Sequence, residues 1–304
     1  MLKYALGRAL SALAVAFTVS IIVFLLLHLS GDLASSIAGP EATKEQVDTI
    51  RLQFGLDRPL IVQYGSWLWG ALHLDFGKSY YFSESVFSLI STRLHVTFTM
   101  GLFALVTALL VAVPVGMLAA IYSDGWIDKA ARGFSVIVES MPSFWLGLNF
   151  IMLFAVELGW FPVSGSQTWR HLVLPSVVIA LHAMPSIMRM TRSGMLDVLS
   201  ADYIRTAHAK GLPLPKIMIR HALRNAIIPV VALAAVQFGH MLSGSVVLEA
   251  VFSVQGVGQL AWMSISRNDF PVVQSIVLVL AVIYVTLTFV ADLLNGLLDP
   301  RIRS

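Results

Sequence analysis

The chain has 304 residues and a formal net charge of +3, and 57% of its residues are apolar whereas only 12% are charged. A soluble domain of this length cannot bury so large an apolar fraction in its core. Cysteine is absent, which excludes a disulfide scaffold and a thiolate metal site. The composition therefore indicates an integral membrane protein.

Six apolar runs are long enough to cross a hydrocarbon layer of about 30 Å, which requires about 20 helical residues. They cover residues 9–29, 95–121, 133–159, 172–194, 222–249 and 271–297. This pattern predicts an all-α, polytopic membrane protein with six transmembrane helices. The first run is too long for the apolar part of a secretory signal, so we expect it to remain as the first span.

Basic residues are distributed unevenly between the two sides of these helices. If both termini lie on one side, that side holds 13 of the 20 lysines and arginines. Cytoplasmic loops carry such an excess of basic residues, whereas long segments are translocated largely regardless of their charge. We therefore expect both termini and the basic loop at residues 199–230 to be cytoplasmic. The charge belongs to the membrane surface and does not indicate nucleic-acid binding.

Residues 1–94 combine the first span with an outward-facing segment, and residues 95–304 form the predicted five-helix core. Thr43 and Gln46 have the spacing of a capping box, and Gly55 is suited to end the helix that they begin. A second helix is predicted to start at Pro59. Both helices are amphipathic, so we expect the segment to lie on the outer membrane surface.

The basic loop contains one short helix with strong boundary signals. Ser200 or Asp202 can cap its start, Gly211 can end it in the left-handed conformation, and two prolines then prevent its continuation. Three-and-four spacing puts on one face the residues Tyr203, Ala207 and Lys210. Such a sharply ended helix is suited to contact a partner on the cytoplasmic side.

The sequence Arg-Thr-Ala-His-Ala-Lys-Gly-Leu at 205–212, followed by Arg-His-Ala-Leu-Arg-Asn-Ala-Ile-Ile-Pro at 220–229, resembles a family loop. The family comprises permease subunits of bacterial binding-protein-dependent ABC importers. Arg-Thr-Ala replaces the general Glu-Ala-Ala, and Leu-Arg replaces Leu-Pro, as is typical of the dipeptide, oligopeptide and nickel branch. Further similar runs lie at 54–64, 74–79, 140–147, 158–162 and 267–274.

The resemblance implies a type I importer permease with a coupling helix near residues 200–212 that sits in a cleft of an ATPase subunit. The implied contact residues are Asp202, Tyr203, Arg205, Thr206, Ala207, Lys210 and Gly211. The implied partners are a second homologous permease subunit, two cytoplasmic ATPase subunits and an extracytoplasmic solute-binding protein, assembled in the bacterial inner membrane.

No catalytic residue, metal site or cofactor is expected in this chain, and ATP and Mg²⁺ would bind to the ATPase subunits. Gly77-Lys78-Ser79 has the ending of a phosphate-binding loop. That motif also requires glycine five residues before Gly77, where this chain has Leu72. The ATPase activity must therefore come from a partner.

Polar or helix-breaking residues inside the spans are candidates for the transport pathway. A proline bends a membrane helix, and polar groups at that depth are costly unless they face a partner or a cavity. The predicted pathway residues are Pro142, Trp145, Asn149, Gln237 and His240. A bend for packing is the alternative for Pro142, and a hydrogen-bonded packing role is the alternative for His240.

The run Glu-Ala-Val-Phe-Ser-Val-Gln-Gly-Val-Gly at 249–258 is similar to the outer connection between the family's last two spans. Val254-Gln255 stands where relatives usually have Trp-Pro, so the sequence leaves the geometry of this loop open. The ending Asp299-Pro300-Arg301-Ile302-Arg303 also matches the class.

The predicted function is the import of short peptides or similar solutes, with a nickel chelate or glutathione as alternative cargo. Four histidines, at positions 28, 73, 182 and 240, are possible metal ligands and would fit the nickel-chelate alternative. A secondary transporter would also have six spans, but it does not explain the sharply ended cytoplasmic helix. An intramembrane hydrolase would need motifs such as Gly-x-Ser-x-Gly or His-Glu-x-x-His, which the sequence lacks.

Overall fold

The computed structural model describes residues 2–29, 31–39 and 41–298, and the regular structure in these ranges is helical. The terminal run Asp299–Arg303 lies outside the described residues. The helices in chain order are α1 (Leu2–Leu29), α2 (Leu33–Ala38), α3 (Lys44–Gln53), α4 (Leu60–Leu72), α5 (Val86–Ile121), α6 (Trp126–Ser140), α7 (Ser143–Phe150), α8 (Trp169–Leu199), α9 (Asp202–Ala209), α10 (Leu214–Lys216), α11 (Arg224–Ala226), α12 (Ile228–Val251), α13 (Val257–Ser266) and α14 (Phe270–Leu298). Two π-helical stretches, Ile151–Glu157 and Ile217–Leu223, follow α7 and α10.

Five helices are long and apolar enough to cross a membrane, and they correspond to five of the six predicted spans. They are the segments Ala5–Leu29, Val86–Ile121, Trp169–Leu199, Ile228–Val251 and Phe270–Leu294. The second of these begins at Val86, earlier than the apolar run indicated, because the helix continues through polar residues beyond the hydrocarbon-length segment. The fold class is confirmed as all-α and polytopic.

The third predicted span is a broken helix and not a continuous one. Helix α6 and the segment Ser143–Glu157 meet at an angle of 99°, so the count of six holds only when this pair is one span. Pro142 lies at the break, and Met141 before it is extended, with φ −95° and ψ 130°. Proline lacks the amide hydrogen and disfavours helix at the preceding residue, which explains the break.

Helices α5 and α8 form the closest pair in the core, and small residues make this approach possible. On α5 the inward stripe at four-residue spacing is Ala104, Ala108, Ala112, Gly116 and Ala120. A Cβ atom built on Gly116 would lie 2.7 Å from the carbonyl oxygen of Met188 on α8. Small residues at this spacing are a common way for membrane helices to pack, because the backbones come together.

The segment between α1 and α5 has the predicted caps. Thr43 Oγ1 accepts from the Gln46 amide at 3.4 Å, and Gln46 Oε1 accepts from the Thr43 amide at 2.9 Å. Gly55 has φ +65°, and Pro59 precedes α4. The segment packs on α1 through the Ser20 and Tyr64 hydroxyl groups, which are 2.7 Å apart.

A buried carboxylate joins this segment to the last span. Asp269, just before α14, is fully buried and accepts from the Ser79 hydroxyl and from the Tyr80 amide at 3.1 Å. Arg267 lies over the Tyr81 ring at 3.7 Å. Burial and the neighbouring Asp269 carboxylate raise the pKa of the Tyr80 hydroxyl to about 12, so that group stays neutral.

Candidate transport site

The predicted contact helix exists as α9, but its start differs from the prediction. The residue before the helix is Ala201, with φ −74° and ψ 146°, and no side chain caps the helix there. Ser200 instead ends α8 and donates its hydroxyl to the Asp197 carbonyl at 2.8 Å. Asp202 pairs with Arg205 at 3.3 Å. The predicted Ser200 or Asp202 cap is therefore wrong.

The end of α9 is as predicted. Gly211 has φ +70°, a conformation that glycine adopts without the steric cost of a Cβ atom. The Leu212 amide donates to the Ala207 carbonyl at 3.3 Å, and the Gly211 amide donates to the His208 carbonyl at 2.9 Å. These two hydrogen bonds form a Schellman motif, which ends the helix sharply.

One face of α9 is buried within the chain, and this corrects the prediction for Ala207. Ala207 and Ile204 are 6% and 2% exposed, and they pack on Ile217 and Met218. Helical spacing correctly identifies a shared face, but it does not say which face turns outward. The predicted contact residues that remain exposed are Asp202, Tyr203, Arg205, Thr206, Lys210 and Gly211.

Helix α9 is held firmly against the rest of the chain. Its buried face belongs to a cluster that includes Met195 of α8 and Ala226 of α11. Beside this cluster, Asn225 donates its amide to the Tyr203 hydroxyl at 2.8 Å. Helix α9 thus packs against α8 and against the segment that leads to α12.

A buried ion pair joins α6 to the same end of α8. The Asp128 side chain is fully buried, and Arg192 reaches both of its oxygens, with Nε at 2.7 Å and Nη2 at 2.8 Å. Arg132 and the Asp124 amide contribute further hydrogen bonds at 3.1 and 3.0 Å. This bidentate geometry is the strongest form of the arginine–carboxylate interaction.

A cavity of about 240 Å³ lies between α7, α8 and α12, and it brings together only some of the predicted pathway residues. Gln237 and His240 both line it. Trp145 and Asn149 do not, and the Asn149 side chain instead donates to the Trp145 carbonyl at 2.8 Å. Pro142 does not line it either, but it sets the start of α7, whose first residue, Ser143, does.

Sequence reasoning named His182 only with the histidines of the metal-related reading and did not place it in the pathway, but it lines this cavity. Its Nδ1 lies 3.1 Å from the Val178 carbonyl oxygen, and its Nε2 lies 3.1 Å from the Met141 carbonyl oxygen. Both carbonyl oxygens are hydrogen-bond acceptors within reach of the ring. His182 thus bridges α8 to the break before Pro142. A histidine inside an apolar span was the available signal.

The histidines do not form a metal site in the described part of the chain, where no three His, Asp or Glu side chains come together. His182 and His240 share the cavity, whereas His28 contacts Gln63 near α4. The ring of His240 packs edge-on against Tyr284 of α14, with centroids 5.3 Å apart. His240 therefore combines the packing contact with its position at the cavity.

The structure resolves the outer connection that the sequence left open. Glu249 is fully buried, and its carboxylate accepts from the hydroxyls of Thr97 and Ser245, both at 2.8 Å. It also accepts from the amides of Gly258 and Gln259, at 2.7 and 3.1 Å, at the start of α13. A carboxylate is favourable at a helix N-terminus.

Close packing explains both glycines of this connection. A Cβ atom on Gly256 would lie 2.3 Å from Glu249 Oε2, and one on Gly258 would lie 2.5 Å from the Val246 Cα atom. Val254 is fully buried. The aliphatic side chain of Val254 therefore packs in the core, and the loop has a defined geometry.

These features define a class of protein, a polytopic all-helical membrane protein with a sharply ended, partly exposed helix between two of its spans. Residues 112–304 match the family described as the binding-protein-dependent transport system inner membrane component. Residues 1–101 match the N-terminal family of the same membrane component. The chain belongs to this family and is the inner-membrane permease component of an ABC importer.

Relatives match the chain over its whole length. A Brucella abortus protein, provisionally named as a peptide transport system permease, is 39% identical over 98% of this chain and 98% of its own. The glutathione transport system permease protein GsiC of Escherichia coli K12 is 38% identical over 100% of this chain and 99% of its own. Membership in this family excludes the secondary-transporter and hydrolase alternatives.

Solved structures with the same fold are ABC transporters. A chain of the MetNI methionine ABC transporter in an inward-facing conformation has a TM-score of 0.59 at 20% identity, covering 69% of this chain and 96% of that chain. An amino acid ABC transporter crystallised with histidines has a TM-score of 0.50 at 17% identity, covering 70% and 94%. At such identities the likeness concerns the fold alone.

Proposed function

We propose that this permease moves short peptides, including glutathione-like peptides, from a solute-binding protein into the cytoplasm. The observation that carries the proposal is the full-length similarity, at 39% and 38% identity, to proteins named for peptide and glutathione transport. The nickel-chelate alternative stays a prediction with no structural observation of its own. Neither the permease nor its fold supplies the energy, which a partner must provide.

The proposed assembly contains a second homologous permease subunit, two cytoplasmic ATPase subunits that bind ATP and Mg²⁺, and an extracytoplasmic binding protein. Both termini lie in the cytoplasm, as the majority of basic residues on that side supports. The exposed face of α9 contacts an ATPase subunit. Two observations support this contact. One face of α9 is polar and exposed, and its other face is buried in a cluster that includes Met195 of α8.

The ATPase contact is tested by reversing charge on the exposed face. The variant Arg205→Glu reverses the charge of one exposed side chain without touching the buried base of α9. We expect the chain to remain folded and to lose the ATPase during purification of the co-expressed complex. Lys129→Glu is the matched control, because Lys129 is an exposed basic residue on the same predicted side. Equal retention of the ATPase in both variants would refute the contact.

The transport proposal is tested in proteoliposomes that contain the chain together with the partner subunits encoded beside it. We expect uptake of a radiolabelled tripeptide or glutathione that requires both ATP and the binding protein. A nickel chelate serves as the competing cargo in the same assay. Uptake of the nickel chelate alone would contradict the proposal.

A further inference from the structure

A second and larger cavity has a volume of about 720 Å³. It shares no lining residue with the cavity between α7, α8 and α12. Its walls come from the end of α1, the connection between α3 and α4, helix α4, the turn before α5 and the first residues of α14. Residues 1–101 and 112–304, the two matched parts of the chain, therefore both line it. Cavities between structural units are common sites for small ligands, and this volume is within their usual range.

The walls combine apolar surface with unpaired positive charge. The aromatic lining residues are Phe24, Phe54, Trp67, Phe76, Tyr80 and Phe270. Arg58 and Lys78 are exposed lining residues, and neither forms an ion pair with another residue in the described ranges. The one lining carboxylate, Asp75, accepts a hydrogen bond from the Gly77 amide at 3.0 Å. Two basic side chains against one acidic one favour an anionic ligand.

Two hydrogen-bond donors in the walls have no protein partner. Gln274 is 8% exposed, and its Nε2 atom finds no acceptor among the described residues. The Trp67 Nε1 atom is in the same situation. Buried donors without partners are rare and cost free energy, so they call for an acceptor. Both nitrogens are shielded from solvent in this structure, and both side chains form part of the cavity wall.

We propose that this cavity is a second ligand site, which takes an anionic small molecule that also carries carbonyl oxygens. The anionic group pairs with Arg58 and Lys78, and a carbonyl oxygen accepts from Gln274 or Trp67. The proposed transport function supplies one source of this chemistry, a short peptide with a free carboxylate, and the inference rests on it for that source. An anionic lipid headgroup with its ester carbonyls is the other source.

The test uses the full chain in phosphatidylcholine nanodiscs, titrated calorimetrically with a tripeptide and with the same tripeptide amidated at its C-terminus. A parallel series contains phosphatidylglycerol, and native mass spectrometry counts the lipid retained by the protein. The variants Trp67→Phe and Gln274→Met remove one donor each at nearly constant volume. Arg58→Gln with Lys78→Gln removes the charge. Trp69→Phe and Gln255→Met are matched controls, since both residues are exposed and neither lines the cavity.

We expect one of the two ligands to bind, and each donor variant to weaken binding by about fivefold to tenfold. The charge variant should remove the preference for the free carboxylate over the amide, or the retention of phosphatidylglycerol. The controls should bind as the unaltered chain does. The thermal midpoint of the ligand-free chain should not fall in the donor variants, because these donors have no partner to lose.

Binding of neither ligand, or equal binding by the variants and controls, would overturn the proposal and leave a cavity that only water fills. ATP-driven peptide uptake by the unaltered importer separates this outcome from failure of the transport function. Uptake with an unliganded cavity refutes the second site alone. A liganded cavity without any peptide uptake refutes the transported class alone.

Discussion

Arg192 reaches both oxygens of the buried Asp128 carboxylate, a geometry that the single ammonium group of lysine cannot reproduce. Arg192→Lys should therefore lower the free energy of unfolding by about 1–2 kcal/mol. Arg189→Lys is the control, because Arg189 and its partner Glu139 are both largely exposed. Such exposed pairs contribute at most about 1 kcal/mol. Thermal unfolding of the purified chain, followed by fluorescence, measures both changes.

Equal unfolding midpoints for these two variants would show that the Asp128 pair does not hold α6 on α8. The comparison is informative because both substitutions conserve charge and both arginines lie on α8. They differ in the partner of the arginine: Arg192 bonds to the buried Asp128 carboxylate, and Arg189 bonds to the exposed Glu139 carboxylate.

Gln237 and Asn149 are both amides within apolar helices, but only Gln237 lines the cavity between α7, α8 and α12. Gln237→Leu should change the rate of peptide uptake by the reconstituted importer, because it removes a polar group from the cavity wall. Asn149→Leu should leave uptake unchanged, since within the described residues the Asn149 amide bonds to the Trp145 carbonyl of its own turn and does not line the cavity. Uptake assays at equal amounts of assembled complex make the comparison.

The opposite ranking, with Asn149→Leu the more damaging change, would show that the pathway follows the exposed face of α7. The cavity lined by Gln237 would then be a packing defect in the core.

At the scale of the element, α9 is an amphipathic helix with one face against its own chain and one face free. Ala207→Asp would bury a carboxylate without a partner, which costs at least about 3 kcal/mol. We expect this variant to unfold at a lower temperature even as the isolated chain. Ala209→Asp, two residues later on the exposed face, should cost at most about 1 kcal/mol, from the unfavourable charge near the helix end.

Thermal unfolding in the absence of the ATPase distinguishes the two arrangements of α9. If Ala207 faced a partner subunit, Ala207→Asp would leave the isolated chain as stable as Ala209→Asp does. It would then affect only the retention of the ATPase.

The break between α6 and α7 is the other element that decides the site. Pro142 explains why α6 ends at Ser140, with Met141 extended, but it does not fix the angle between the two segments. The contact from His182 Nε2 to the Met141 carbonyl ties the break to α8, and Asp128 ties the far end of α6 to the same helix. The two ties together hold α6 along α8, so Ser143 and the start of α7 face the cavity.

At the scale of the whole molecule, the proposed orientation places the turn before α5 outside and the α8–α9 junction in the cytoplasm. The chain contains no cysteine, so single cysteines give labels without background. Ser85→Cys should react in intact cells with a membrane-impermeant thiol reagent, because Ser85 is exposed at the start of α5. Ser200→Cys, also exposed, should react only after the membrane is permeabilised.

Labelling of Ser200→Cys in intact cells, with protection of Ser85→Cys, would reverse the topology. It would also place α9 on the outer side, where no cytoplasmic ATPase could reach it. Reaction of both cysteines in intact cells would instead show a mixed orientation.

Much of the architecture was predictable because its signals are local. The five long spans follow from apolar length, the Thr43–Gln46 cap from residue spacing, and the end of α9 from a glycine followed by prolines. The sequence at 205–229 predicted the family, and the family matches to residues 1–101 and 112–304 confirm that prediction. The start of α9 was predicted wrongly, because Ser200 bonds to a carbonyl within α8 instead.

The sequence by itself determined that this chain is a helical membrane permease, since hydrophobic length and turn chemistry act within a few residues. Only the tertiary structure decided that Ala207 points inward, that Trp145 and Asn149 lie away from the cavity, and that His182 bridges α8 to the break. Helical periodicity gives relative positions around one axis. The rotation of each helix toward its neighbours depends on packing between residues distant in sequence, such as Gly116 against Met188.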